Sequence, residues 1–204
     1  MIEVEKKFKP TTEQLNALLK GARSDGFKEH TDYYYDTPDF DFTKKGCRLR
    51  KRNDTWELKI KKQNPENTEN SYYEEIEDVP RILEHLNFPE GADLEVLVSE
   101  YMKELCIIKT KRFKYHKKGF IIDIDETDFG HTVCEIELKV KNEKKINTAE
   151  QKIIKFAKHY GLDVVNKIPG KVAECLRVTR PDVYEKYLKM KEEIREKTAS
   201  FKLH

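Results

Sequence analysis

Six short stretches of this chain place acids or bases at alternate positions. The first is Ile2-Glu3-Val4-Glu5-Lys6-Lys7-Phe8. Strand side chains point alternately to opposite faces, so Glu3, Glu5 and Lys7 share one face and Ile2, Val4, Lys6 and Phe8 the other. Asp123 with Asp125, and Glu135 with Glu137, repeat the acidic pairing on Ile- and Leu-backed stretches. Arg48, Arg50 and Arg52 form a basic row, followed by Lys59 with Lys61 and by Arg112 with Lys114.

A solvated outer face over an apolar core is one reading of such rows. It does not explain why the signs are sorted by strand. Two like charges about 5 Å apart repel by roughly 3 kcal/mol at an effective dielectric near 20. A ligand rich in negative charge, together with divalent cations, recovers that cost. The planar fork of Arg binds two phosphate oxygens at once. Paired carboxylates suit Mg²⁺, a hard ion that takes oxygen ligands and leaves room for substrate phosphates. The residue pattern alone therefore describes a polyphosphate site with a hard divalent metal, its charged faces turned inward into a polar tunnel.

The elements that must carry these rows are mostly strands. After the first come 30–36, Cys47–Arg52, 56–61, 72–78, 106–115, 120–125 and 132–140, about eight in all and mostly joined by short turns. Asn53-Asp54, Lys117-Lys118-Gly119 and Asp128-Phe129-Gly130 are turn signals. Residues 62–70 have no period and read as a loop. Thr11 with Gln14 reads as a capping box for a helix ending at Gly21, and Thr148 with Gln151 as a second. Residues 80–105 carry helical spacing, with Asp93 as a cap. A short helix follows Pro169-Gly170, and Pro181 starts a last one to about Lys197. The expected fold is α+β: an eight-stranded antiparallel β-barrel with surrounding helices. One domain spans 1–197, and 198–204 is a frayed tail.

Composition narrows the class. Charged residues are 38% of 204, yet 40 bases against 38 acids leave a net charge of only +2. Nucleic-acid binders usually show a basic excess, so no nucleic-acid partner is expected. No apolar run is long enough to span a bilayer, and charges from residue 3 onward argue against a signal peptide. Cys47, Cys106, Cys134 and Cys175 form no C-x-x-C pair, which argues against zinc. The expectation is a cytoplasmic monomer without membrane partners.

The ordered set resembles the CYTH superfamily, the triphosphate tunnel metalloenzymes. Its elements are Glu3-x-Glu5-x-Lys7, Tyr34 before Asp36-Thr37-Pro38, Arg50-x-Arg52, Trp56-Glu57-Leu58-Lys59, Glu75, Lys111-Arg112, Asp123-x-Asp125, Glu135-x-Glu137 and Lys171. Tyr34–Pro38, Asp128-Phe129-Gly130 and Arg180-Pro181-x-x-Tyr184 look most like the animal thiamine triphosphatases. The resemblance implies a Mg²⁺-dependent hydrolase, with one or two ions or Mn²⁺ in their place, that removes the terminal phosphate of a small-molecule triphosphate. It implies Arg50, Arg52, Lys59, Arg112 and Lys171 as phosphate holders, with Lys7 beside them. Glu3, Glu5, Asp123, Glu135 and Glu137 become metal ligands. Glu75 and Asp125 hydrogen-bond the bases or metal-bound water. Lys7, Tyr34 and Lys59 become catalytic, with Lys7 and Tyr34 activating the attacking water.

One departure bears on substrate. Mammalian-type thiamine triphosphatases place a thiamine-contacting Trp where Arg48 stands here. Thiamine triphosphate is the first expectation, inorganic tripolyphosphate the second. An adenylate cyclase of the class IV type and a non-catalytic polyphosphate-binding module are the remaining alternatives.

Overall fold

A computed structural model describes residues 2–64 and 67–200, with side chains of all but 63, 64, 67–71 and 197–200. The strands are β1 (Ile2–Phe8), β2 (Arg23–Asp36), β3 (Cys47–Arg52), β4 (Thr55–Asn64), β5 (Asn67–Ile76), β6 (Lys103–Lys117), β7 (Phe120–Thr127) and β8 (Thr132–Val140). The helices are α1 (Thr12–Leu19), α2 (Asp41–Lys44), α3 (Val79–Leu86), α4 (Leu94–Tyr101), α5 (Ile146–His159), α6 (Lys171–Thr179) and α7 (Pro181–Ser200). The strands pair in the closed order β1-β5-β4-β3-β2-β6-β7-β8, an antiparallel barrel as the alternation predicts.

Several strands run past the limits read from the sequence. β2 begins at Arg23 rather than residue 30, because residues 23–29 are exposed and carry no apolar alternation. The loop expected at 62–70 is largely strand: β4 reaches Asn64 and β5 starts at Asn67, while 65 and 66 lie outside the described residues. Ladders are made by backbone groups, which leave no side-chain signature. Of the expected tail, α7 takes in residues 198–200, and 201–204 lie outside the described residues.

Local chemistry sets the ends. Thr11 accepts from the Gln14 amide at 3.3 Å, and the Gln14 side chain accepts from the Thr11 amide at 2.9 Å, a complete capping box. Asp93 accepts from the Glu95 amide at 2.8 Å and caps α4. The second expected capping box is absent. A 3₁₀ turn at Glu143–Lys145 leads directly into α5, and buried Ile146 anchors its start, so Thr148 lies inside the first turn. Asn53 and Asp54 both take positive φ, 43° and 69°, in the two-residue turn between β3 and β4.

The chain divides into two compact units, both discontinuous in sequence. The first holds residues 1–30, 61–74 and 109–169. In it, Val4 and Phe8 of β1, Ile122 and Ile124 of β7, and Cys134 and Ile136 of β8 pack with Ile146, Ile153 and Ala157 of α5 and Leu18 of α1. The second holds residues 31–60, 75–108 and 170–204. There Leu49 of β3 and Trp56, Leu58 and Ile60 of β4 pack with Ile82, Leu83 and Leu86 of α3 and Leu94 and Val98 of α4. In each unit the helices cover the apolar face of the strands, and the opposite face is left to the charged rows. Among the described residues, no helix is long and apolar enough to cross a membrane.

Candidate active site

In the first unit, register brings the rows together. β1 pairs with β8 so that Glu5 faces Glu137, Lys7 faces Glu135 and Glu3 faces Lys139. β8 pairs with β7, setting Glu135 opposite Asp123. β7 pairs with β6, setting Asp123 opposite Lys114 and Asp125 opposite Arg112. Directly opposed residues share a face, so one charged surface runs across four strands.

Its hub is Arg112. The guanidinium donates to Asp125 through Nε at 2.6 Å and Nη2 at 2.7 Å, and Nη2 also reaches Glu135 at 3.1 Å. Its Nη1 lies 2.9 Å from Asp123. Lys114 Nζ bonds Asp123 at 3.0 Å. Lys7 pairs with Glu5 and, at 3.0 Å, with Glu135. Asp123 and Asp125 are fully buried. Burial disfavours the Lys7 ammonium, but Glu135 and Glu5 outweigh it and push its pKa up.

Beside these pairs, carboxylate oxygens of Glu3, Glu5 and Glu137 all lie within 4.8 Å of one another. Burial, then the charges of Glu3, Asp123 and Glu135, push the Glu137 carboxyl up to about 8 despite the relief from Arg112. Three carboxylates that cannot all ionise cheaply are a donor set fitting a hard divalent cation. Of the five expected metal ligands, these three converge. Asp123 and Glu135 are also buried but are engaged by Arg112, Lys114 and Lys7.

The second unit builds a basic counterpart. β2 pairs with β3 so that Tyr34 faces Arg50 and Asp32 faces Arg52, and β3 pairs with β4 so that Arg50 faces Glu57 and Arg48 faces Lys59. Arg50 is buried. It donates to Glu57 through Nε at 2.9 Å and again through Nη2, and to the Tyr34 hydroxyl through Nη1 at 3.3 Å. Arg52 grips Asp32 at 2.6 and 2.9 Å. Lys59 lies 3.2 Å from Glu75, and Arg50 3.9 Å. Lys171 is half-buried and opens α6 behind Gly170. A Cβ added at Gly170 would stand 3.8 Å from Arg48 Nη1, so Arg48 approaches the backbone just before Lys171.

Asp32 and Glu57 were not among the expected site residues, although both are buried and orient Arg50 or Arg52. Their alternation with Tyr34 and Lys59 was the available signal. Asp36 shares the face of Asp32, yet it accepts from the amides of Thr37, Phe42 and Thr43 and so anchors α2.

A family model described as the CYTH domain matches residues 1–170. The thiamine-triphosphatases of Homo sapiens and Macaca fascicularis are each 29% identical over 93% of this chain and 90% of their own length. Among solved structures, PH1819 of Pyrococcus horikoshii OT3 is 25% identical at a TM-score of 0.55, covering 79% of this chain and 91% of that one. A Hippeastrum protein whose structure is described as revealing a dominant triphosphatase activity shares the fold at 18% identity and a TM-score of 0.50, covering 90% of this chain and 94% of that one.

Proposed function

The chain belongs to the CYTH family, and we propose that it is a Mg²⁺-dependent triphosphatase that converts thiamine triphosphate to thiamine diphosphate and phosphate. The observation carrying this reading is the convergence of half-buried Glu3 and Glu5 with buried Glu137. A cation held there would offset the burial and the charges of Glu3, Asp123 and Glu135 that raise the Glu137 pKa. Asp123 and Glu135 complete the acidic set. A divalent ion held by these carboxylates would neutralise phosphate charge and acidify a bound water.

The other residues supply positioning. Arg50, Arg52, Lys59, Arg112 and Lys171 hold phosphate oxygens. Their orientation is set before substrate arrives, because Glu57, Asp32, Asp125 and Glu75 already hold four of them in place. Preformed donors need no reorganisation as charge shifts in the transition state. Water attacks the terminal phosphorus, the bridging P–O bond breaks with its electron pair leaving on the diphosphate, and of the water's two protons one stays on the released phosphate and the other passes to solvent. Tyr34 and Lys59 stabilise the transferred group. Lys7 would orient and activate the attacking water, with Glu5 and Glu135 holding its ammonium charged in this structure.

Arg48 favours a second substrate, inorganic tripolyphosphate, since a guanidinium adds a phosphate contact where a Trp would stack. Phosphate release with Mg²⁺ from thiamine triphosphate, tripolyphosphate and ATP tests both. Faster turnover of tripolyphosphate replaces the thiamine assignment. No release from any of the three defeats the enzyme reading.

A further inference from the structure

Away from the acidic triad, the first unit contains a cavity of about 1000 Å³ walled by α5, the end of β8 and the turn before β7. Its lining includes Lys118, Lys139, Lys141, Lys145, Lys152 and Lys155, all exposed, and no carboxylate. The whole chain carries 40 bases against 38 acids, so six lysines, of which only Lys139 has an acid (Glu3) opposite it in the β1–β8 ladder, are a local excess. None of the six makes an ion pair among the described residues. The neighbouring Glu143 is engaged by the Tyr72 hydroxyl at 2.8 Å.

Beneath the lysines lies an apolar floor of Phe120, Leu138, Val140, Ala149 and Phe156. Phe120 and Phe156 are stacked with centroids 4.1 Å apart. Lys145 at the N-cap of α5 and Ala149, Lys152 and Phe156 within it recur at spacings of three and four and so form one stripe. Small-molecule pockets have volumes of roughly 300–1,000 Å³ and combine apolar walls with a few placed polar groups. A cationic rim over an apolar floor matches a molecule with an anionic head and an apolar body.

We propose that this cavity is a binding site for a discrete amphipathic anion, with its phosphate or carboxylate head among Lys141, Lys145 and Lys152 and its apolar body on Leu138, Val140 and Phe156. The site is separate from the triphosphatase reading and stands without it. Dodecyl phosphate below its micellar concentration is the probe, titrated calorimetrically into the intact protein. The expected result is saturable binding of one molecule per chain. Inorganic phosphate and dodecyltrimethylammonium, which each lack half of the match, give no saturable signal. In Lys145→Glu/Lys152→Glu, affinity falls about tenfold or more, as loss of charge-assisted contacts requires, with thermal unfolding unchanged. Chemical-shift mapping in the unmodified protein gives a reading that needs no variant: shifts cluster on Leu138–Lys141 and the Lys145–His159 face. Equal binding by the variant, equal binding of the cationic amphiphile, shifts centred elsewhere, or binding only to anionic lipid vesicles overturns the proposal.

Discussion

Glu5 and Glu137 stand directly opposite each other in the β1–β8 ladder. Opposed like charges destabilise a strand pair, and here both side chains are also largely buried. Glu5 is paired with Lys7, whereas Glu137 is left to burial and to the charges of Glu3, Asp123 and Glu135.

Burial of Glu137, with the charges of Glu3, Asp123 and Glu135 beside it, makes stability depend on pH. The folded Glu137 pKa is raised from 4.5 to about 8, so between those values the native chain holds a proton that the unfolded chain has lost. Stability of the metal-free protein therefore falls as pH rises from about 5 to 8, by on the order of a few kcal/mol. Thermal unfolding at pH 6 and pH 9 measures it. Mg²⁺ raises the unfolding temperature more at pH 9, and Glu137→Gln abolishes both the pH dependence and the Mg²⁺ shift.

Glu5→Gln removes a triad oxygen and one partner of Lys7. Phosphate release falls by about a hundredfold or more, the scale of several kcal/mol of lost charge stabilisation. The far-ultraviolet spectrum stays unchanged. Retained turnover in the folded variant removes Glu5 from the metal set.

Glu57 accepts from both Nε and Nη2 of buried Arg50 through its single Oε2. Glu57→Gln leaves that guanidinium partly unpaired and costs about 3 kcal/mol, less whatever Asp32 retains. Urea unfolding reads the loss. Saturating tripolyphosphate narrows the gap between variant and parent, since phosphate replaces the missing anion. A gap that tripolyphosphate leaves unchanged assigns Glu57 to the scaffold alone.

Arg48→Trp tests the substrate reading. The ratio of kcat/KM for thiamine triphosphate over tripolyphosphate rises about fivefold to tenfold, near the worth of one aromatic or cation–π contact. An unchanged ratio places substrate choice elsewhere.

Period-two alternation is a local property, and it was legible without coordinates. Glu3 with Glu5, Arg50 with Arg52 and Asp123 with Asp125 share faces because a strand leaves them no alternative. The apolar partners Val4, Leu49 and Ile124 revealed the opposite face in the same way, and strand number followed. Exposed strand such as 23–29 and the start of α5 were not legible, since neither carries a pattern that side-chain type records.

Pairing between strands is non-local, and register follows from which backbones meet rather than from any one stretch. Only the tertiary structure could decide that Glu5 meets Glu137, that Asp125 rather than Glu135 takes the fork of Arg112, and that Asp32 and Glu57 hold the arginines. Burial, which raises the Glu137 pKa, was decided there too, because desolvation comes from residues far away in the chain.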